Sequence, residues 1–457
     1  PMLGAVLHTV NIRLAPAQIA YTIDHAEDDV ILVHADFLPL MEEVMPLVKR
    51  KVRLILLRDD PAQDPECSFD FVTSYDEMMA GPATDFEFPD FDEGTRATTF
   101  YTTGTTGEPK AVAYSHRQLV LHTMGLLAGF GPIETSNRLH RGDVYMPITP
   151  MFHVHAWGFP YAATLLGIKQ VYAGRYTPAN LLRLIAEEGA TFSHCVPTIL
   201  QMLLSAPEAA DTDLSRLKML IGGSALPRGL AESALAQGIN VYTGYGLSET
   251  CPVLTFAVLD PDDEADVEAR LKTGNPLPLV DLQTVGAGMA ELPRDGASTG
   301  EVVVRAPWLN AEYVKNPEAT EALWEGDYLH TGDVGHIDAS GALMITDRMK
   351  DVIKSGGEWV SSLELESLVS AVDGVAEVAA IGVQDDKWGE RPVLLIVARE
   401  GAEEDAIKGG ISAAAQQAVA AGNLSKWAVP DQFRFVAEIA KTSVGKIDKK
   451  RLRAEFE

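Results

Sequence analysis

From Tyr101 to Lys110 the chain reads Tyr-Thr-Thr-Gly-Thr-Thr-Gly-Glu-Pro-Lys, a concentration of hydroxyls, glycines and one cation suited to holding phosphate. Thr102, Thr103, Thr105 and Thr106 offer hydroxyl donors or a metal ligand, Gly104 and Gly107 let backbone N–H groups approach oxyanions, and Lys110 adds a mobile positive charge. The stretch is not a Walker A loop, because Pro109 stands five residues after Gly104 and Ala111 follows the lysine in place of a hydroxyl. Residues 97–101 read as a strand and residues 115–120 as a helix start, so the expected context is strand, loop, helix. Without a ligand the same residues would make a solvated turn.

Three further groups have chemistry in them. Residues 245–250 place an aromatic ring (Tyr245), a carboxylate (Glu249) and a hydroxyl (Thr250) close together. The ring could stack on a base, and Glu249 could hold Mg²⁺ with Thr102, since Mg²⁺ takes one or two protein oxygens besides water and phosphate. Alone, Glu249 would more often be a capping or surface acid. Asp333, beside Gly332 and Gly335, suits a bridge between two ribose hydroxyls, and in isolation reads equally well as a turn aspartate. Residues 441–450, with Lys441, Lys446, Lys449 and Lys450 around Gly445, could be a functional loop or a basic solvated tail.

These groups need a scaffold. Residues 30–34 and 52–57 are apolar runs between segments of helical composition, the alternation that builds parallel sheets. Residues 143–148 and 169–173 repeat the strand pattern, and residues 180–188 carry Leu181, Leu182, Leu184 and Ile185 at helical spacing. Residues 217–227 and 240–246 each read as a strand running into a glycine turn, and ligands of open α/β sheets gather at such carboxyl ends. The Asp-, Glu- and Pro-rich residues 58–93 read as a surface excursion. After about Leu271, glycine-punctuated strands such as 299–305 indicate a β-rich subdomain. Residues 346–359 crowd six charges against Gly356-Gly357 where the composition changes, which reads as a linker with a hinge. Beyond it, Ser361 and Glu364 have capping-box spacing, a helix is expected to Val372, strands at 375–383 and 393–398, and an Ala-rich helix at 411–421.

Composition narrows the function classes. A chain of 457 residues is too long for one compact core. Hydrophobic content of 46%, charged content of 22% and a mean hydropathy of +0.02 describe an ordinary globular protein, with no apolar run of the ~18 residues a membrane span requires. A net charge of −28 and a pI near 4.7 oppose binding to nucleic acid or anionic membranes. Cys67, Cys195 and Cys251 are too few and too far apart for a disulfide framework or a C-x-x-C pair, which fits a reducing cytoplasm. The apolar residues 1–7 have neither a basic flank nor a small-residue cleavage site, so they read as the middle of a fold, and the native N-terminus is expected upstream.

In order and spacing, the motifs from the phosphate loop to Lys446 resemble the adenylate-forming superfamily of acyl-CoA synthetases, luciferases and peptide-synthetase adenylation domains, over essentially the whole chain. Residues 150–158 (Pro-Met-Phe-His-Val-His-Ala-Trp-Gly) and 355–362 (Ser-Gly-Gly-Glu-Trp-Val-Ser-Ser) are similar to fatty-acyl-CoA synthetases, in particular bacterial medium-chain and 3-methylmercaptopropionate CoA ligases. The resemblance implies an α/β large N-terminal domain over 1–347 with a β-rich subdomain at about 271–347, a hinge at 348–351 pivoting on Lys350, and a small mobile α+β C-terminal domain over 352–457. It implies ATP, Mg²⁺ and coenzyme A, and two steps: a short- to medium-chain acid is converted to acyl-AMP, then to its CoA thioester, with no protein nucleophile. On this resemblance Lys446, Thr102, Glu249 and His153 are catalytic, and Thr102 and Glu249 are the metal ligands. Thr103, Gly104, Thr105, Thr106, Gly107 and Lys110 surround the phosphates. Gly222, Gly223, Ser224 and Ala225 surround an adenine stacked on Tyr245, Gly246 and Thr250 also bind the cofactor, Asp333 and Arg348 hold the ribose, and Trp359 borders the nucleotide. His153, Trp157 and Gly223 line the acyl pocket, with core packing as the competing role for Trp157.

Amino-acid-activating relatives carry an aspartate near the position of His153, and this chain has none. Ala111 departs from the glycine that often follows the lysine. The expected partners are a small carboxylic acid, ATP and CoA, in the cytoplasm, in fatty-acid metabolism or dimethylsulfoniopropionate (DMSP) catabolism. The resemblance leaves a homodimer open. Two rivals share the fold: a luciferase-like oxygenase, and a non-catalytic nucleotide-binding homologue. Retention of both Glu249 and Lys446 weighs against the second.

Overall fold

The computed structural model describes residues 1–60, 62, 65–82, 85–102, 108–355, 358–385, 387–421, 424–442 and 445–456, with Glu358 and Trp359 described for the backbone only. The N-terminal part contains a sheet of three parallel strands, Val30–His34 and Arg53–Leu57, as the apolar runs indicate, and Thr73–Ser74. Two strands then form the base of the site: β1 (Arg96–Thr102) and β2 (Lys110–Ser115), antiparallel, with Thr102 paired to Lys110. The expected strand–loop–helix order is therefore corrected to strand–loop–strand–helix. Residues 110–115 form a strand because Ala111, Val112 and Tyr114 are buried against β1, with the Tyr114 ring stacked on Phe100 at 5.9 Å. The helix α1 (His116–Phe130) starts only after them, through a reciprocal capping box between Ser115 and Gln118.

The central sheet has seven strands, among them β3 (Phe192–Cys195), β4 (Lys218–Ile221) and β5 (Asn240–Gly246), parallel to one another, with Val253–Phe256 antiparallel to β5. The expected strands at 143–148 and 169–173 shrink to Val144–Tyr145 and Lys169–Gln170. Pro147 has no N–H to extend the first of these ladders. β4 runs directly into Gly222 and Gly223, and Gly223 takes φ +79, a left-handed conformation open to glycine without strain.

The β-rich part is an antiparallel sheet of β6 (Gly300–Arg305), β7 (Tyr328–Ile337) and β8 (Leu343–Arg348) with the shorter strands Asp281–Val285 and Trp324–Glu325. After Arg348 the chain enters a different sheet through β9 (Ile353–Ser355). The helix α2 (Ser362–Ser370) is capped by Ser361, whose hydroxyl accepts the Glu364 N–H at 3.0 Å, and it ends two residues short of Val372. The hairpin of β10 (Val375–Asp385) and β11 (Gly389–Ala398) covers the helix, the Ala-rich helix begins earlier than expected at Glu404–Ala420, and α3 (Lys449–Ala454) closes the chain. The core of this unit, from Ile353 to Ala428, shares no residue with the two large cores of the preceding part.

Candidate active site

A cavity of about 630 Å³ opens where the carboxyl ends of β4 and β5, the hairpin of β1 and β2, the bend of β7, and the residues around Lys446 converge. The β1–β2 register delivers Thr102 and Lys110 together to its wall. Lys110 Nζ lies 4.8 Å from the ring centroid of Tyr313, a cation–π distance. The Tyr313 hydroxyl donates to Glu249 Oε1 at 2.6 Å. Burial, with the adjacent Glu249 charge, pushes the Tyr313 phenol up, so it remains a donor.

Glu249 sits on a single 3₁₀ turn, Ser248–Thr250, directly after β5. That turn is pinned from two sides. The Tyr114 hydroxyl donates to the Ser248 carbonyl at 2.6 Å, and the Asn310 N–H donates to the Glu249 carbonyl at 2.8 Å. Across the cavity, Asp333 has both carboxylate oxygens engaged. Oδ2 accepts from the Tyr245 hydroxyl at 2.8 Å, and Oδ1 pairs with Arg348 Nε at 3.2 Å. Burial raises the Asp333 carboxyl, opposed by Arg348 and by the Tyr245 hydrogen bond. Arg348 is raised by Asp333.

Lys446 reaches this group from the C-terminal unit. Its Cε lies so close to the glycine turn that a Cβ on Gly223 would be 3.1 Å away, and the preceding Gly445 carbonyl accepts from Thr198 Oγ1 at 3.1 Å. Removal from water, with repulsion from Arg348, brings the Lys446 ammonium down to about 8, against the pull of Asp333 and Glu249. His153 is pushed down to about 3 by burial and by Lys446, and so is neutral at physiological pH. Trp157, 5% exposed, lines the cavity on the same side. It is carried by a left-handed turn in which Val154, His155, Ala156 and Trp157 have φ of 49, 51, 50 and 60°. Such a conformation costs about 1–2 kcal/mol per residue, and here all four residues are buried and held by packing.

Of the residues singled out in the sequence, Thr102, Lys110, His153, Trp157, Gly222, Gly223, Tyr245, Gly246, Glu249, Asp333, Arg348, Lys350 and Lys446 share the cavity wall. Ser224 and Ala225 are exposed beyond it. Thr250 is fully buried, its hydroxyl spent on the Leu247 and Pro252 carbonyls. Thr103, Gly104, Thr105, Thr106 and Gly107, and the side chain of Trp359, lie outside the described residues. Tyr313 was missed, because a lone tyrosine far in sequence from Glu249 leaves no local pattern. The dyad of His330 Nδ1 and Glu301 Oε2, 3.0 Å apart, was missed for the same reason.

The donor set suits a hard cation brought in with phosphate. Glu249 and Thr102 offer oxygen only, and among the described residues no cluster of three or more His, Cys, Asp or Glu could hold a resident metal.

Thr102, Lys110, the buried Asp333–Arg348 pair and Lys446 thus share one cavity wall. The chain belongs to the AMP-binding enzyme family: the model described as AMP-binding enzyme matches residues 1–314, and that of the AMP-binding enzyme C-terminal domain matches residues 364–446. It is 38% identical to a long-chain-fatty-acid–CoA ligase of Thermus thermophilus, over all of this chain and 82% of that protein. It is also 38% identical to a 3-methylmercaptopropionyl-CoA ligase of Ruegeria pomeroyi, over 99% of this chain and 83% of that protein. The crystal structure of an anthranilate CoA ligase in complex with anthranoyl-AMP superimposes with a TM-score of 0.84 at 22% identity, covering 99% of this chain and 83% of that one, and so shares the fold. No helix among the described residues is long and apolar enough to cross a membrane.

Proposed function

We propose that this protein is an ATP-dependent acyl-CoA ligase for a short- to medium-chain carboxylic acid, with 3-methylmercaptopropionate a candidate substrate. The ligase class follows from the family and from the CoA ligases it is similar to. In the first step a carboxylate oxygen attacks the α-phosphorus of ATP, the Pα–O–Pβ bond breaks, and pyrophosphate leaves. In the second, the CoA thiol attacks the acyl carbon, the bond to the AMP oxygen breaks, and the thiol proton passes to solvent. Neither step needs a protein nucleophile, so the work of the side chains is positioning and charge compensation.

The observation that carries the reading is the convergence of Lys446, Arg348, Asp333 and Glu249 on one cavity. Lys446 would face the attacking carboxylate and the α-phosphate, Asp333 and Arg348 the ribose, and Tyr245 the base, with Lys110 and residues 102–107 at the phosphates. Mg²⁺, held by Glu249 and Thr102 when bound, would neutralise phosphoryl oxygens. Residues 348–351 would form the hinge and Lys350 its pivot. A cytoplasmic site of action is part of the same proposal. The test is a panel of carboxylic acids scored for AMP formed in the presence and absence of CoA. CoA-dependent AMP release with a short or medium acid is expected, and AMP release indifferent to CoA with every acid would refute the ligase reading. Glu249→Gln should raise the Mg²⁺ concentration for half-maximal activity while leaving the melting temperature near wild type, and an unchanged Mg²⁺ dependence would make Glu249 structural.

A further inference from the structure

Behind Trp157, outside the cavity wall, lies a histidine that the proposed reaction does not use. His194 is fully buried. Its ring stacks on the Trp157 indole at 5.0 Å and 26°, and on Phe159 at 5.1 Å and 29°. Both ring nitrogens are engaged: Nε2 lies 2.6 Å from the Tyr145 hydroxyl and Nδ1 2.9 Å from Thr149 Oγ1. The ring can therefore neither tilt nor slide without losing a buried hydrogen bond. On its other edge the indole meets the glycine turn, where a Cβ on Gly222 would come within 3.1 Å of Trp157 Cη2. The backbone beneath is also confined, since a Cβ on Gly158 would lie 2.9 Å from His122 Cε1.

We propose that His194 is a specificity-determining residue: it holds Trp157 against the Gly222 turn as a fixed wall and so restricts the acyl subsite to short acids. This rests on the reading of the Trp157 side of the cavity as the acyl subsite. An indole free to rotate would be a gate, and long chains could pass it. An indole backed by a ring with two satisfied hydrogen bonds and a second aromatic layer is a floor. A longer acid must displace a packed layer with no space behind it, because Tyr145, Phe159 and Phe192 are themselves almost fully buried there.

The experiment compares kcat/KM of the whole chain for butyrate, hexanoate, octanoate and decanoate, by CoA-dependent AMP formation. Wild type should favour butyrate or hexanoate. In His194→Ala the octanoate-to-butyrate ratio should rise ~10-fold or more, the scale of one or two methylenes in an apolar pocket, and the gain should come through KM for the longer acid. Trp157→Ala should raise the ratio too, and combining both changes should extend the profile to decanoate. Should His194→Ala fail to fold, the pair Tyr145→Phe with Thr149→Val decides, because it removes both hydrogen bonds and keeps the ring. An intermediate rise is expected from that pair. A ratio within twofold of wild type in a folded His194→Ala, or in the Tyr145/Thr149 pair, overturns the proposal, as does a wild type that prefers decanoate. Failure of the wild type to form AMP with any acid would instead refute the ligase reading on which the proposal rests.

Discussion

Lys446 concentrates the chemistry at the scale of single residues, because it brings a cation from the C-terminal unit into the cavity that Glu249 and Asp333 line. Its ammonium, held near 8 by removal from water and by Arg348, is charged at neutral pH but close to losing its proton. Lys446→Ala should slow acyl-adenylate formation a hundredfold or more, since a charge acting chiefly in the transition state is worth on the order of 3–4 kcal/mol. The same variant, given synthetic acyl-adenylate and CoA, should make thioester at close to the wild-type rate. Equal losses in both assays would place the lysine in both steps or in folding. The pH dependence has a definite sign. The working form is protonated and its pKa is depressed, so kcat/KM for ATP in pyrophosphate exchange should fall as pH rises through about 8. Lys446→Arg, whose guanidinium does not titrate there, should remove that limb, and a limb surviving in the arginine variant would assign it to another group.

Among the elements, the segment between β8 and β9 is the proposed hinge, and its backbone is well defined. Met349 N–H donates to the Gly332 carbonyl, and the N–H groups of Asp351 and Val352 both donate to the Arg348 carbonyl, a compact turn at the exit of one sheet and the entry of the next. A rotation there would carry Lys446 out of the cavity and present another face of the C-terminal unit. Proline at Lys350 fixes φ at that point. Lys350→Pro should keep part of the acid-dependent pyrophosphate exchange and lose CoA-ester formation, and proportionate losses in both would contradict a pivot. The β1–β2 hairpin shows where local reading stops. The strand β1 and the start of α1 were legible in residues 97–101 and 115–120, whereas β2 was hidden because its apolar residues are sorted by pairing with β1 rather than by a pattern of their own.

Over the whole molecule, the two units are joined by a buried ionic cluster as well as by the chain. Asp347 of β8 accepts the N–H and hydroxyl of Ser362 at 2.6 and 2.7 Å, and Lys449 of α3 donates to Ser362 Oγ at 2.5 Å and pairs with Glu366 at 2.8 Å. Removing one partner of a buried pair leaves an uncompensated charge, at a cost of about 3–5 kcal/mol. Glu366→Ala should therefore lower the melting temperature of the C-terminal unit by about 10 °C or more in calorimetry, and a melting temperature within a degree of wild type would show that Lys449 finds another partner. The sequence by itself determined the chemistry available: a hydroxyl- and glycine-rich loop ending in Lys110, Glu249 after a strand, Asp333 at a glycine bend, Lys446 near the C-terminus, and the order of α/β, β-rich and α+β regions. Each is written in neighbouring residues, where spacing fixes a turn, a strand or a cap. Only the tertiary structure decided that Tyr313 grips Glu249 across 64 residues, that His194 is locked by Tyr145 across 49, and that Ser224, Ala225 and Thr250 fall away from the cavity. The reason is physical: a hydrogen bond or ring stack between distant segments depends on strand order and packing, and it leaves no periodicity in either segment alone.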